Sequence, residues 1–159
     1  GVKCSDIVIE DCTFDNAAYT AIHFMAYDRI TIRNNIFAIT SDSEQIDRYG
    51  ILADTYGSFI DPTGAESTTD FTIEGNTFDV SDPKATVLEI TTNNKSPKHI
   101  KNVIIKGNTL KGVNGGKAID LYLLDNCTIS GNTIEGFDRP IVANSCDEQF
   151  ISDTDVVTE

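Results

Sequence analysis

Glu89, in Val87-Leu-Glu-Ile-Thr91, and Asp120, in Ala118-Ile-Asp-Leu-Tyr122, occupy the same point in two copies of one short pattern. Two carboxylates held side by side can divide the roles of acid and base in glycoside hydrolysis, or chelate a calcium ion together. Like charges at close range resist double ionisation unless a cation or base lies beside them. Tyr122, two residues beyond Asp120, offers an aromatic face to a sugar ring. His23 and Leu52 stand at the same point of earlier copies, and Met25, Asp54, Thr91 and Asn144 share the column of Tyr122. Glu89 and Asp120 are therefore the candidate catalytic residues and, equally, the candidate calcium ligands; no cofactor is required for either chemistry beyond that ion. The plain alternative is that both are exposed strand residues of an acidic protein.

Loops that leave a regular framework are where binding surfaces arise. One excursion carries Ser41-Asp-Ser-Glu-Gln-Ile-Asp-Arg-Tyr49, and a second, Asp54-Thr-Tyr-Gly-Ser-Phe-Ile-Asp-Pro-Thr-Gly-Ala-Glu66, adds Tyr56 and Phe59. A third, Asn93-Asn-Lys-Ser-Pro-Lys-His99, is the basic cluster of the chain. Such loops would wall a groove beside the two carboxylates. His23, Arg48, Asp54, Tyr56, Lys98 and Tyr122 are the candidate substrate-binding residues, with Arg48, Lys95, Lys98 and His99 able to neutralise a uronate.

What would bring these residues together is a repeat. Asp6-Ile-Val-Ile-Glu-Asp-Cys-Thr-Phe14, Asp28-Arg-Ile-Thr-Ile-Arg-Asn-Asn-Ile-Phe37, Asp70-Phe-Thr-Ile-Glu-Gly-Asn-Thr-Phe78, Asn102-Val-Ile-Ile-Lys-Gly-Asn-Thr-Leu110 and Asn126-Cys-Thr-Ile-Ser-Gly-Asn-Thr-Ile134 are five copies of one phrase. Aligned on Ile9, Ile32, Ile73, Ile105 and Ile129, they stand 23, 41, 32 and 24 residues apart. A unit that short cannot bury its apolar face alone, so its copies must stack into a solenoid.

Within each copy apolar residues alternate, as a strand with one buried face requires. Asp11, Asn34, Gly75, Gly107 and Gly131 follow, united by tolerance of positive φ, so the chain turns there. The next column is Cys12, Asn35, Asn76, Asn108 and Asn132, whose stacked amides are expected to bond up the pile as a structural ladder. A right-handed connection is favoured between parallel strands. The predicted fold is an all-β, single-stranded, right-handed parallel β-helix of about five to six coils. It spans residues 1–145, and residues 146–159 form a degenerate final rung, a cap or an acidic linker.

The phrase in Phe71-Thr-Ile-Glu-Gly-Asn-Thr-Phe78 and Thr128-Ile-Ser-Gly-Asn-Thr-Ile134 resembles the parallel β-helix repeat of the pectate-lyase-like superfamily, over residues 4–145. That resemblance implies the fold and an exported, carbohydrate-facing role, but no single reaction, since the superfamily holds lyases, hydrolases, epimerases, tailspikes and adhesins. The superfamily's catalytic signatures are missing: Lys98-His-Ile-Lys101 does not match the Arg-Ile-Lys of polygalacturonases, and Ser81-Asp-Pro-Lys84 lacks the His of the epimerases. The expected function is an extracellular module presenting a glycan-binding face, within a larger polysaccharide-active or surface protein. The alternatives are a polysaccharide lyase or glycoside hydrolase using the paired carboxylates, and a structural stalk of an adhesin or phage fibre.

Twelve Lys and Arg against 25 Asp and Glu give a net charge of −13. Nucleic acid and anionic membranes both want a basic surface, so neither is an expected partner. Pectate would be repelled unless calcium bridged it to the protein. Cys12 and Cys127 occupy ladder and interior columns and read as small buried residues, leaving Cys4 and Cys12, in one coil, as the pair able to bridge. No Cys and His spacing suggests zinc. Asn94-Lys-Ser96 and Asn126-Cys-Thr128 fit the glycosylation sequon. With no run long enough to span a membrane, no signal sequence and a strand beginning close to Gly1, the chain reads as a piece of a longer one, secreted or at the cell surface by the habit of its fold.

Overall fold

The computed structural model describes residues 4–15, 19–24, 27–40, 48–55, 69–92 and 100–157. Three strands make each of the first five coils and two the last. The first coil holds β1 (Cys4–Glu10), β2 (Thr13–Asp15) and β3 (Thr20–Phe24), and the second β4 (Tyr27–Arg33), β5 (Ile36–Ile39) and β6 (Tyr49–Thr55). The third holds β7 (Thr69–Glu74), β8 (Thr77–Val80) and β9 (Thr86–Thr92), and the fourth β10 (Ile100–Lys106), β11 (Thr109–Lys111) and β12 (Lys117–Tyr122). The fifth holds β13 (Leu124–Ser130), β14 (Thr133–Glu135) and β15 (Arg139–Asn144), and the last β16 (Asp147–Ser152) and β17 (Asp155–Val157).

Strands of equal rank stack in parallel into three sheets. The first runs β1-β4-β7-β10-β13-β16, the second β2-β5-β8-β11-β14-β17, the third β3-β6-β9-β12-β15. Register is continuous: Ile9, Ile32, Ile73, Ile105, Ile129 and Ile151 lie over one another in the first sheet. The protein is therefore a parallel β-helix, and among the described residues it has six rungs. Among the same residues no helix is long and apolar enough to cross a membrane.

Inward columns fill the interior. Ile30, Ile32, Phe71, Ile73, Val103 and Ile105 are fully buried, each worth about 1.5–3 kcal/mol of transfer free energy. In the second sheet Phe14 and Phe37 stack with ring centroids 4.6 Å apart, and Phe37 and Phe78 at 4.5 Å. The aromatic column then gives way to Leu110 and Ile134.

The Asn ladder runs along the corner between the first two sheets. The Nδ2 of Asn35 donates to Oδ1 of Asn76 at 3.0 Å, that of Asn76 to Asn108 at 3.0 Å, and that of Asn108 to Asn132 at 2.9 Å. Each Oδ1 also accepts the main-chain N–H of the rung before it, and each Nδ2 reaches the carbonyl of an isoleucine one rung back. Burial makes these bonds obligatory, because an unpaired buried amide costs about 1–3 kcal/mol. Cys12 ends the ladder: its N–H donates to Oδ1 of Asn35 at 3.0 Å.

Cys12 is a correction to the sequence reading. It is exposed, as is Cys4, because both stand on the outermost described rung, with no described coil beneath them; Cys127 is buried. All four thiols are free.

A second bend lies within the first sheet. Asp6, Arg29, Asp70, Asn102 and Asn126 all have φ between 51° and 57°. The left-handed residue lengthens the inward step from two residues to three, so that Leu124 and Cys127 both face the interior. Outside the sheet these side chains form a polar file of their own. Asn126 donates to Asn102 at 2.8 Å, Asn102 to Asp70 at 2.9 Å, and Arg29 grips both oxygens of Asp6 at 2.6 and 2.7 Å. That guanidinium holds the Asp6 carboxyl below its ordinary value, chiefly through the hydrogen bond.

Candidate functional site

The third sheet positions the candidate residues. Its outward column is His23, Leu52, Glu89, Asp120 and Val142, each directly opposite the next in register. Glu89 on β9 and Asp120 on β12 are thus neighbours across one rung, with backbones about 4.8 Å apart. Tyr122 lies two residues along β12, opposite Thr91 on one side and Asn144 on the other. Glu89, Asp120 and Tyr122 are all half-buried.

A cation stands beside the carboxylates. Lys117, at the start of β12, ion-pairs with Asp120 through Nζ and Oδ2. A strictly alternating strand would place residues three apart on opposite faces. Here Ala118 and Ile119 are both buried, the alternation breaks, and Lys117 comes round to the outer side. Arg139, opposite Lys117 on β15, puts a second basic residue at this end of the face. Neither lies in the basic loop that composition singled out.

The other candidates are dispersed. His23 is exposed on β3, in the column of Asp120 but three rungs away, roughly 14 Å at strand spacing. Leu52, between His23 and Glu89, is only 6% exposed although it belongs to the outward column. Asp54 is in β6 opposite Thr91, its side chain outside the described residues. Tyr56, Lys98 and the wall-forming stretches at 41–47, 56–66 and 93–99 also lie outside the described residues.

Arg48 is the clear departure. Sequence places it on a loop facing substrate; the structure places it in the interior, 1% exposed, with Nε 2.9 Å from Oδ2 of Asp82. It also donates from Nη1 to the carbonyl of Thr40. A guanidinium so enclosed ties neighbouring rungs together.

No family model, curated protein or solved structure matches the chain.

As chemistry, the face offers a fixed acceptor in Asp120, a fixed donor in Lys117, a second acceptor in Glu89 and a ring in Tyr122. Glu89 and Asp120 would supply two oxygen ligands to calcium, whereas such sites take six to eight. Among the described residues no group of three or more His, Cys, Asp or Glu is placed to hold a metal.

The first sheet has a second feature at its border. Asn34, Glu74, Gly75, Lys106, Gly107, Ser130 and Gly131 line an open trough of about 450 Å³. Its rim is part of an ion-pair file in which Arg33 meets Glu10 at 2.7 Å and Lys106 meets Glu74 at 2.8 Å. Exposed pairs of this kind add little stability, typically below about 1 kcal/mol.

Proposed function

We propose that this protein is an exported β-helix module, akin to the pectate-lyase-like superfamily, that presents the outer face of its third sheet to an extended polysaccharide. One observation carries the reading: Glu89 and Asp120 are cross-rung neighbours, with Lys117 paired to Asp120 and Tyr122 on the same strand. Sugars are recognised by hydrogen bonds to hydroxyls and by stacking of their apolar faces, and this group of four offers both. The ion pair favours binding over hydrolysis. A carboxylate engaged by a lysine on its own strand is an oriented acceptor, not a free acid or base. The module would work beside neighbouring domains of a longer chain, in a secreted or cell-surface setting.

The competing reading is a lyase or hydrolase. Retaining glycosidases hold their two carboxyls about 5–5.5 Å apart, and side chains on adjacent rungs, as Glu89 and Asp120 are, can reach that separation. Calcium would serve there only as a bridge to an anionic substrate.

Affinity measurements on a panel of soluble polysaccharides, with reducing-end and unsaturated-product assays alongside, decide between them. Binding without turnover, weakened in Glu89→Gln and Asp120→Asn, supports the module. Turnover abolished by both substitutions supports the enzyme. A chain that binds no glycan and assembles with rising concentration is a stalk.

A further inference from the structure

Basic residues on the strands of this chain stand opposite carboxylates, with one exception. Arg33 lies between Glu10 and Glu74 in register, Lys106 opposite Glu74, Lys101 opposite Asp125, and Lys111 between Asp79 and Glu135. Arg29 grips Asp6, and Arg48 meets Asp82. Lys117 and Arg139 break the pattern: they stand opposite each other, at the starts of β12 and β15. On its other side Lys117 faces Thr86, two residues beyond Lys84. Main-chain bonds hold the three entries together, since the N–H of Lys117 donates to the carbonyl of Ala85 at 2.9 Å and that of Arg139 to the carbonyl of Gly116 at 3.2 Å. Three bases thus mark the entry to the third sheet on successive rungs, within two rung steps or roughly 10 Å. Lys84 and Arg139 are exposed, and among the described residues neither makes an ion pair. The acids nearest in sequence do not relieve them: Asp82 is committed to Arg48, and Asp138 is exposed without pairing to Arg139. Like charges directly opposite on a sheet are destabilising, so this corner stands out in a chain of net charge −13.

We propose that Lys84, Lys117 and Arg139 bind a tetrahedral oxyanion ester, a sulfate or phosphate, carried by one unit of an otherwise uncharged glycan lying along β12. The proposal rests on the third-sheet reading and names the class of glycan that the face takes. Lys117 and Tyr122 are five residues apart on one strand, roughly 17 Å. An oxyanion at the basic corner and a ring stacked on Tyr122 therefore belong to different units of the same ligand. Glu89 and Asp120 lie between them. A polyuronate would set a carboxylate against that acidic pair as well as at the corner, and close like charges resist joint ionisation. One anionic substituent at the end avoids the conflict. An ester of this kind keeps three free oxygens for three cations, where a carboxylate has two, and Arg and Lys both suit such groups. Asp120 takes one donor of the Lys117 ammonium and leaves two for the ligand.

The test is calorimetric titration of the whole chain with cello-, xylo-, manno- and malto-hexaose, each unmodified and as a monosulfate or monophosphate at either terminal unit, and with hexagalacturonate. At least one monoester should bind about tenfold or more tightly than its unmodified parent, and the advantage should shrink between about 0.05 and 0.5 M salt. Lys84→Gln/Arg139→Gln should reduce the ester to the affinity of the parent sugar. Arg33→Gln/Lys111→Gln, with the same change in charge on the other two sheets, should leave the ester's affinity as it was. Arg139→Gln alone should not lower the melting temperature, because it relieves a repulsion; a purely structural Arg139 would give a loss. Binding by none of the sugars overturns this proposal and the third-sheet reading together. Unmodified sugars or hexagalacturonate binding as tightly as the monoesters, or an ester preference that survives Lys84→Gln/Arg139→Gln, overturns this proposal alone.

Discussion

Arg48 and Asp82 form an ion pair inside the solenoid, Nε to Oδ2 at 2.9 Å, with side chains 1% and 6% exposed. The other oxygen of Asp82 accepts the N–H of Lys84 at 2.9 Å, and the carbonyl of Arg48 accepts the N–H of Thr86 at the same distance. The pair thus joins the entry to β6 with the entry to β9.

Removing one member should be costly. Arg48→Met or Asp82→Asn leaves the remaining group buried without its partner, a loss of about 3–5 kcal/mol. The double variant Arg48→Met/Asp82→Asn should lose less than the sum of the singles. Urea unfolding of all three measures it, and additive losses would mean that the two residues act independently.

The Asn ladder predicts a sharp contrast between two asparagines. Asn76→Ala strips partners from the Asn35 N–H and the Ile32 carbonyl, both buried, and should cost roughly 2–5 kcal/mol. Asn126→Gly, in the exposed file, removes one exposed bond while keeping a residue that tolerates the φ of 55°, and should cost less than about 0.5 kcal/mol. Similar melting temperatures for the two variants would contradict this account of the ladder.

Cys127 gives the fold an alkaline limit. Burial pushes its thiol from 9.0 up to about 12. A raised folded-state value means that the unfolded chain loses this proton first. The stabilising contribution is therefore complete below about pH 9 and declines as pH rises towards 12. Cys127→Val, matching Val103 one rung earlier, should flatten that decline. Denaturation midpoints of the parent and variant across this range provide the check, and parallel curves would refute it.

Lys117 controls what the paired carboxylates can bind. With the ammonium in place, millimolar calcium should shift the melting temperature by less than about 1 °C. Lys117→Gln removes the competing cation and should give a calcium-dependent gain of about 2 °C or more. Shifts below about 1 °C in both proteins would exclude Glu89 and Asp120 as a calcium pair, and equal larger shifts would show that Lys117 does not compete.

Much of this architecture can be read from residue order because the columns are written into it. Asn35, Asn76, Asn108 and Asn132 recur behind the same left-handed turn, and an interior position tolerates few substitutes. Glu89 and Asp120 share a column for the same reason. What escaped was set by departures from alternation. Lys117 reaches Asp120 only because Ala118 interrupts the period of two. The bends at Asp6, Arg29, Asp70, Asn102 and Asn126 resemble ordinary strand starts, although four of the five are Asp or Asn, a usable signal. Arg48 sits among acids and hydroxyls in a stretch whose composition reads as solvated, and nothing local announces that Asp82 will bury it. The trough is not legible in residue order because alternating charges on its rim look like a surface file.

The phenyl column has a mechanical consequence. Stacked rings at Phe14, Phe37 and Phe78 clamp the early coils, whereas Leu110 and Ile134 continue the column without rings and Ile151, on the last rung, is 49% exposed. Each coil touches only its neighbours, so tension applied between the two ends is borne one layer at a time. Under such a pull the molecule would peel from the Ile151 side first and halt, as a spring with one stiffened end does, on reaching the aromatic grip.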